Sequence, residues 1–245
     1  KSLDCVTFFT TTASDAEIIL DVTAVYDEED AFSRKPIFAK QIVNSKFKIG
    51  VPTEASLEFF GHPEYLHLFR ESCHQLEQAG AELFTIDLEP FLDVAKLLYS
   101  GPWVAERYHA VGAFIDDESN KSDATVATII KGGSVPTAVD MFEGVYQLKR
   151  LKKITDEVLA TVDAIVMPTT SNHYTIAELA NKPIELNSNM GYYTNFVNLL
   201  DYSAVAIPAG FTTKGLPFGV TLFANHLQDK LLQQISRRYF SIKSW

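Results

Sequence analysis

Residues 47 to 88 constrain the fold more than any other stretch. "FKIGVPT" reads as a buried strand, "PEYLHLFRESCHQLEQAG" as an amphipathic helix closed by Gly80, and "AELFTIDL" as a second strand. The apolar residues run together in the two short segments and recur at helical spacing in the one between them. A strand, a crossover helix and a strand favour parallel pairing, because the helix carries the chain back to the end at which the first strand began. The expected class is therefore α/β, with a mixed, largely parallel sheet covered by helices.

The rest of the chain extends that pattern. "TTASDAEIILDVTAVY" places Ser14 three residues before Glu17, a capping-box spacing that predicts a helix over about residues 15–26 with Ser14 at its start. "DEEDAFSRKPIFAKQIVNSK" reads as a surface connection around Pro36. Residues 91–162 are helical in pattern, broken at "SGPW", "DDESNKSDA" and "KGGSVP". "DAIVMPT", "AVAIP" and "LPFGVTLFA" read as strands and "DKLLQQISRRYF" as a last helix. A further helix is expected to run to about Tyr202 through "NMGYYTNFVNLLDY", with Phe196, Leu199 and Leu200 on its apolar face and Asn195 and Asn198 capping or bridging loops. At 245 residues and 47% hydrophobic content, the chain suits one domain over residues 1–245.

Composition removes several function classes. The net charge of −10 repels polyanions, so nucleic acid is not an expected partner. Cys5 and Cys73 form neither a disulfide framework nor a paired-cysteine motif, which suits a reducing, cytoplasmic setting. No apolar run reaches the ~20 residues that span a bilayer, so no membrane partner is expected, and a chain opening at Lys1 reads as starting in mid-protein.

Three groups could carry chemistry. His67, Glu71 and His74 share a stripe of the helix after Pro63, but Gln78 continues it and Phe69, Cys73 and Leu76 oppose it, so it reads as a solvated face and no metal is expected. Ser134 in "KGGS" lacks a GxSxG or SxxK setting and reads as the N-cap of the helix after Pro136. In "PWVAERYHAVGAFI", counting about 100° per residue from Trp103 places Arg107 near the centre of an apolar arc. A guanidinium on a burying face needs an anion, either a structural carboxylate or a substrate. Tyr99 lies eight residues earlier, and a kink at Gly101 and Pro102 permits it to converge on the same ligand.

The chain resembles the amidase signature hydrolases, within them the allophanate hydrolases, and especially the form fused into fungal urea amidolyase. "YTNFVNLLDYSAVAIPAGF" followed by "GLPFGVTLFA" carries most of the likeness; "KSLDCVTFF", "AERY" and "DAIVMPT" add similar segments in the same order. The resemblance implies a seryl acyl-enzyme mechanism with a serine nucleophile, a second serine in a cis peptide and a lysine, all from a Gly/Ser-rich amino-terminal half. No GGSSGG-like segment occurs in these residues, so the chain is expected to be the carboxy-terminal half of an amidase domain, with its catalytic residues upstream of Lys1.

The same resemblance assigns Tyr99 and Arg107 to the carboxylate of allophanate. Further implied partners are the amino-terminal half, a carboxy-terminal domain and a urea carboxylase module that alone carries biotin, with a homodimer possible. No cofactor is implied for the hydrolytic step itself, which belongs to urea degradation in nitrogen metabolism.

Overall fold

The computed structural model describes residues 1–35, 46–117 and 120–242. In chain order the helices and strands are α1 (Ala13–Thr23), β1 (Phe47–Pro52), α2 (Tyr65–Gln78), β2 (Ala81–Ile86), α3 (Glu89–Ser100), α4 (Val104–Asp116), α5 (Ala124–Lys131), α6 (Ala138–Leu159), β3 (Ala164–Pro168), α7 (Ile176–Asn181), α8 (Pro183–Met190), β4 (Ser203–Phe211), β5 (Pro217–Ala224) and α9 (Asp229–Ile242). Half of the expected connection around Pro36, and part of the one between α4 and α5, lie outside the described residues. The chain forms two compact units: Lys1–Leu88 with Asp156–Thr169 and Asp201–Trp245, and Glu89–Thr155 with Thr170–Leu200.

The first unit holds a five-stranded sheet in the order β2-β1-β3-β5-β4. The predicted β1–α2–β2 crossover is there, with Phe47 opposite Ala81 and Pro52 opposite Ile86 in a parallel ladder. β1 also pairs in parallel with β3, while β5 runs antiparallel to both β3 and β4. The sheet is thus mixed, as expected, with its pairings divided evenly between the two senses. Gly80 ends α2 at φ 101°, a left-handed conformation that an L side chain resists. The β4–β5 hairpin turns through Gly215 at φ 77°, closed by the Thr212 amide donating to the Leu216 carbonyl at 2.8 Å.

One face of the sheet is buried with α2 and α9. Phe69 and Leu76 of α2 and Leu231, Leu232, Ile235 and Tyr239 of α9 join Ile49, Val166, Val220 and Leu222 in one core cluster. Truncating Phe69 to alanine would cost about 3–5 kcal/mol, the range for a large core side chain. α1 has no buried residue. Its links to α9 include the ion pairs Asp21–Lys230 and Glu17–Arg237, both partly exposed and so worth at most about 1 kcal/mol each. Its N-cap is Thr12, which accepts from the Asp15 amide at 3.1 Å, and not Ser14. Two overlapping cap spacings stand in "TTASDAE", and the earlier one is used.

The second unit is helical. Phe91, Val94 and Leu97 of α3 are buried, with Phe91 edge-on to Phe196 at 5.5 Å. Residues 191–200 are a chain of hydrogen-bonded turns, not the expected helix. The amides of Thr194 and Asn195 both donate to the Gly191 carbonyl, so three- and four-residue closures mix. Tyr193, Phe196, Val197, Leu199 and Leu200 are all buried, and an irregular backbone can turn such side chains inward on several sides where one helical stripe cannot.

Candidate substrate-binding site

Tyr99 stands in the last turn of α3 and Arg107 in the first turn of α4, both in the second unit. α3 ends where Gly101 and Pro102 interrupt it: the Gly101 amide still reaches the Leu97 carbonyl at 3.0 Å, and the next turn restarts with the Ala105 amide on Pro102. The resulting elbow brings the two side chains together. The Arg107 guanidinium carbon lies 5.3 Å from the centroid of the Tyr99 ring, a cation–π separation.

Arg107 is exposed, which corrects the expectation of a burying face. The inward seam of α4 is Val104, Tyr108, Gly112 and Ile115, and Arg107 lies roughly 100° round the helix from it. The angular count was drawn off by Trp103, which sits in the elbow, and by Val111 and Phe114, which stay open at 41% and 52% exposure. Among the described residues no carboxylate pairs with Arg107. Its fork of donors faces solvent beside a half-exposed phenol, an arrangement able to hold a carboxylate through two guanidinium bonds and one hydroxyl.

Neighbouring elements fix that geometry. Gly133, in the 3-10 turn Gly132–Ser134, lies against the first turn of α4: a Cβ there would stand 2.4 Å from the Val104 carbonyl oxygen. Gly144 of α6 lies against the elbow, where a Cβ would meet Pro102 Cγ at 2.7 Å. The Tyr108 hydroxyl donates to Asp116, which is also 3.7 Å from Lys131 at the end of α5. That carboxylate raises the Tyr108 pKa by hydrogen bond and by charge.

The other candidates resolve differently. His67, Glu71, His74 and Gln78 line the exposed side of α2, with His74 and Gln78 joined at 3.0 Å, as a solvated face requires. No group of three metal-ligating side chains occurs among the described residues. Ser134 does not cap α6: its hydroxyl donates back to Lys131, and Thr137 is the cap, exchanging bonds with Asp140. A Thr-x-x-Asp spacing closer to the helix outcompetes the earlier serine.

Sequence reasoning gave no role to the loop after β3. There Thr170 donates to the Met190 carbonyl and buried Ser171 to that of Asn189, pinning the loop to the end of α8, and burial lowers the His173 pKa. The Thr-Thr-Ser run directly after Pro168 was the available signal.

A family model described as amidase matches residues 1–232. The chain belongs to the amidase signature family. It is 39% identical over 246 residues to urea amidolyase of Lachancea kluyveri and 35% identical over 242 residues to that of Saccharomyces cerevisiae, covering 99% and 98% of this chain. It spans 13% of the length of either relative. Allophanate hydrolase of Kluyveromyces lactis superposes with a TM-score of 0.92 at 36% identity, over 99% of this chain and 40% of that one. The amidase fold and its mixed, helix-covered sheet are therefore shared, and the chain is related to the allophanate hydrolase of urea amidolyase. Among the described residues no helix is long and apolar enough to cross a membrane.

Proposed function

We propose that this chain supplies the substrate-carboxylate side of an amide hydrolase acting on allophanate, and that it is the carboxy-terminal half of that enzyme's amidase domain. The observation that carries the reading is the Arg107–Tyr99 pair: an exposed guanidinium, with no carboxylate partner among the described residues, held beside a phenol at an elbow. The likeness to the urea amidolyases supports it.

In this reading Arg107 grips the carboxylate of allophanate in a fork and the Tyr99 hydroxyl donates a further bond, presenting the terminal amide for attack. The serine nucleophile, the second serine and the lysine lie outside these 245 residues. The lysine, through the second serine, deprotonates the nucleophile; ammonia leaves, and water releases N-carboxycarbamate from the acyl-enzyme. Neutral amides leave Arg107 without its anion and bind less well. A carboxylase module supplies allophanate, and a further carboxy-terminal domain handles the product.

The test is kinetic, on the complete protein that contains this chain. Arg107→Ala loses about 3 kcal/mol of charge-assisted binding, roughly a hundredfold in kcat/KM for allophanate, mainly through KM. Uncharged carboxamides are affected much less. An unchanged preference for allophanate over neutral amides in Arg107→Ala would refute the assignment.

A further inference from the structure

β1 and β3 run parallel, yet the ladder between them is short. Ile49 faces Ala164 and Gly50 faces Ile165, and the pairing stops there while β1 continues to Pro52 and β3 to Pro168. Pro168 explains part of the gap. The Thr169 amide points to β5, donating to the Gly219 carbonyl at 2.9 Å, so the nitrogen of Pro168 lies on the β1 side and has no proton to give. The chain leaves β1 through α2 towards β2, and leaves β3 for β4 and β5 on the opposite side. Strands whose connections part in this way open a crevice at their carboxyl ends, where α/β sheets hold ligands.

Thr169 stands at that opening, half-buried. Its hydroxyl lies 2.9 Å from that of Thr221 on β5, and neither hydroxyl has a second hydrogen bond among the described residues. Two hydroxyls carry two protons, and the bond between them uses one. Burial decides which. Thr221 is 8% exposed, so its proton would be stranded if Thr169 were the donor. Thr221 therefore donates, and the Thr169 proton is left for an acceptor outside the pair. Accepting one bond also polarises the Thr169 hydroxyl towards giving another. Gly219, opposite Thr169, leaves room for this: a Cβ there would stand 3.1 Å from Thr169 Oγ1.

We propose that Thr169 is a substrate-binding residue of the hydrolase, its hydroxyl donating to an oxygen of the bound amide, and that Thr221 is the positioning residue that aims it. The inference rests on the reading of the complete protein as an amide hydrolase, and not on the carboxylate contact assigned to Arg107.

Allophanate kinetics and thermal unfolding of the complete protein test it together. Thr169→Val should lower kcat/KM about tenfold, mainly through KM, as for the loss of one hydrogen bond. It should also lower Tm, because the Thr221 proton is then stranded. Thr169→Ser should recover most of both losses. Thr221→Val should raise KM by a smaller factor, which Thr221→Ser reverses. In Thr169→Val with Thr221→Val both partners become apolar groups of the same shape, so Tm should return close to the wild-type value while kcat/KM stays about tenfold down. Activity that returns with Tm in this double variant makes the pair structural and overturns the proposal, as does an unchanged KM in Thr169→Val. If the unaltered complete protein hydrolyses neither allophanate nor a neutral amide, the hydrolase reading itself fails, and this inference with it.

Discussion

Gly132 and Gly133 are adjacent, and a methyl group added to each would meet different surroundings. At Gly132 nothing lies within 4 Å, and φ −57°, ψ −22° is a conformation alanine adopts freely. At Gly133 the added Cβ would stand 2.4 Å from the Val104 carbonyl oxygen and 2.8 Å from Tyr108 Cβ, where Cβ contacts below 3.0 Å essentially never occur. The obstacle is backbone, which cannot rotate aside, so the 3-10 turn and the first turn of α4 must separate. Overpacking of this kind costs about 1–3 kcal/mol, or roughly 2–12 °C in Tm for a chain of this size. Gly132→Ala should instead gain about 0.4–1 kcal/mol by restricting the unfolded chain. Thermal unfolding followed by circular dichroism compares the two. Because Arg107 lies one turn beyond Val104, Gly133→Ala in the complete protein should also lower kcat/KM for allophanate, whereas Gly132→Ala should not. Equal melting temperatures for the two variants would refute the close approach at Gly133.

Burial pushes the phenols of Tyr65 and Tyr239 up to about 12 from 10.0, and the Cys73 thiol up to about 12 from 9.0. Since each folded value is raised, the unfolded chain releases these protons first, so the stabilisation is complete below pH 9 and is lost as pH climbs towards 12. Urea midpoints should therefore fall above pH 9, and Tyr239→Phe should flatten that decline; a midpoint that holds steady to pH 11 contradicts the burial argument. The Tyr202 hydroxyl donates to Asp156 at 2.7 Å from a side chain only 8% exposed. Tyr202→Phe should cost about 1.5–3 kcal/mol in chemical denaturation, as for a hydrogen bond to a charged group, and an unchanged midpoint would remove that bond from the account.

The strands and long helices were legible because their apolar periods are set by geometry that any packed sheet or helix shares. Helix starts were harder. Thr12 and Ser14 each stand three residues before an acid, and local spacing cannot choose between them. At α6 the spacing did hold the answer, since Thr137 stands three residues before Asp140 and Ser134 precedes no acid at that distance. α7 and α8 escaped notice although Thr175 and Glu178 form a reciprocal capping box and Pro183 opens α8. Arg107 drew notice as a cation on a burying face, yet it lies on an exposed one, because α4 leaves part of its apolar arc open. The meeting of Tyr99 with Arg107 depended on the elbow angle at Gly101 and Pro102, which a pattern of residues permits but does not specify.

β4 lies at the end of the sheet order, and its proline has a consequence for association. The Thr169 amide donates to the Gly219 carbonyl, so the backbone groups of Gly219 point towards β3. Pro208, which faces Gly219 across the ladder, therefore aims its nitrogen away from β5. Its missing N–H costs the sheet nothing. It does leave a gap in the row of outward donors, immediately before the register shift between Pro208 and Gly210. An incoming strand could zip along Ser203–Ile207 and then lose both its partner group and its alignment. Along these residues, therefore, β4 offers a neighbouring strand an unbroken row of outward groups over Ser203–Ile207 alone.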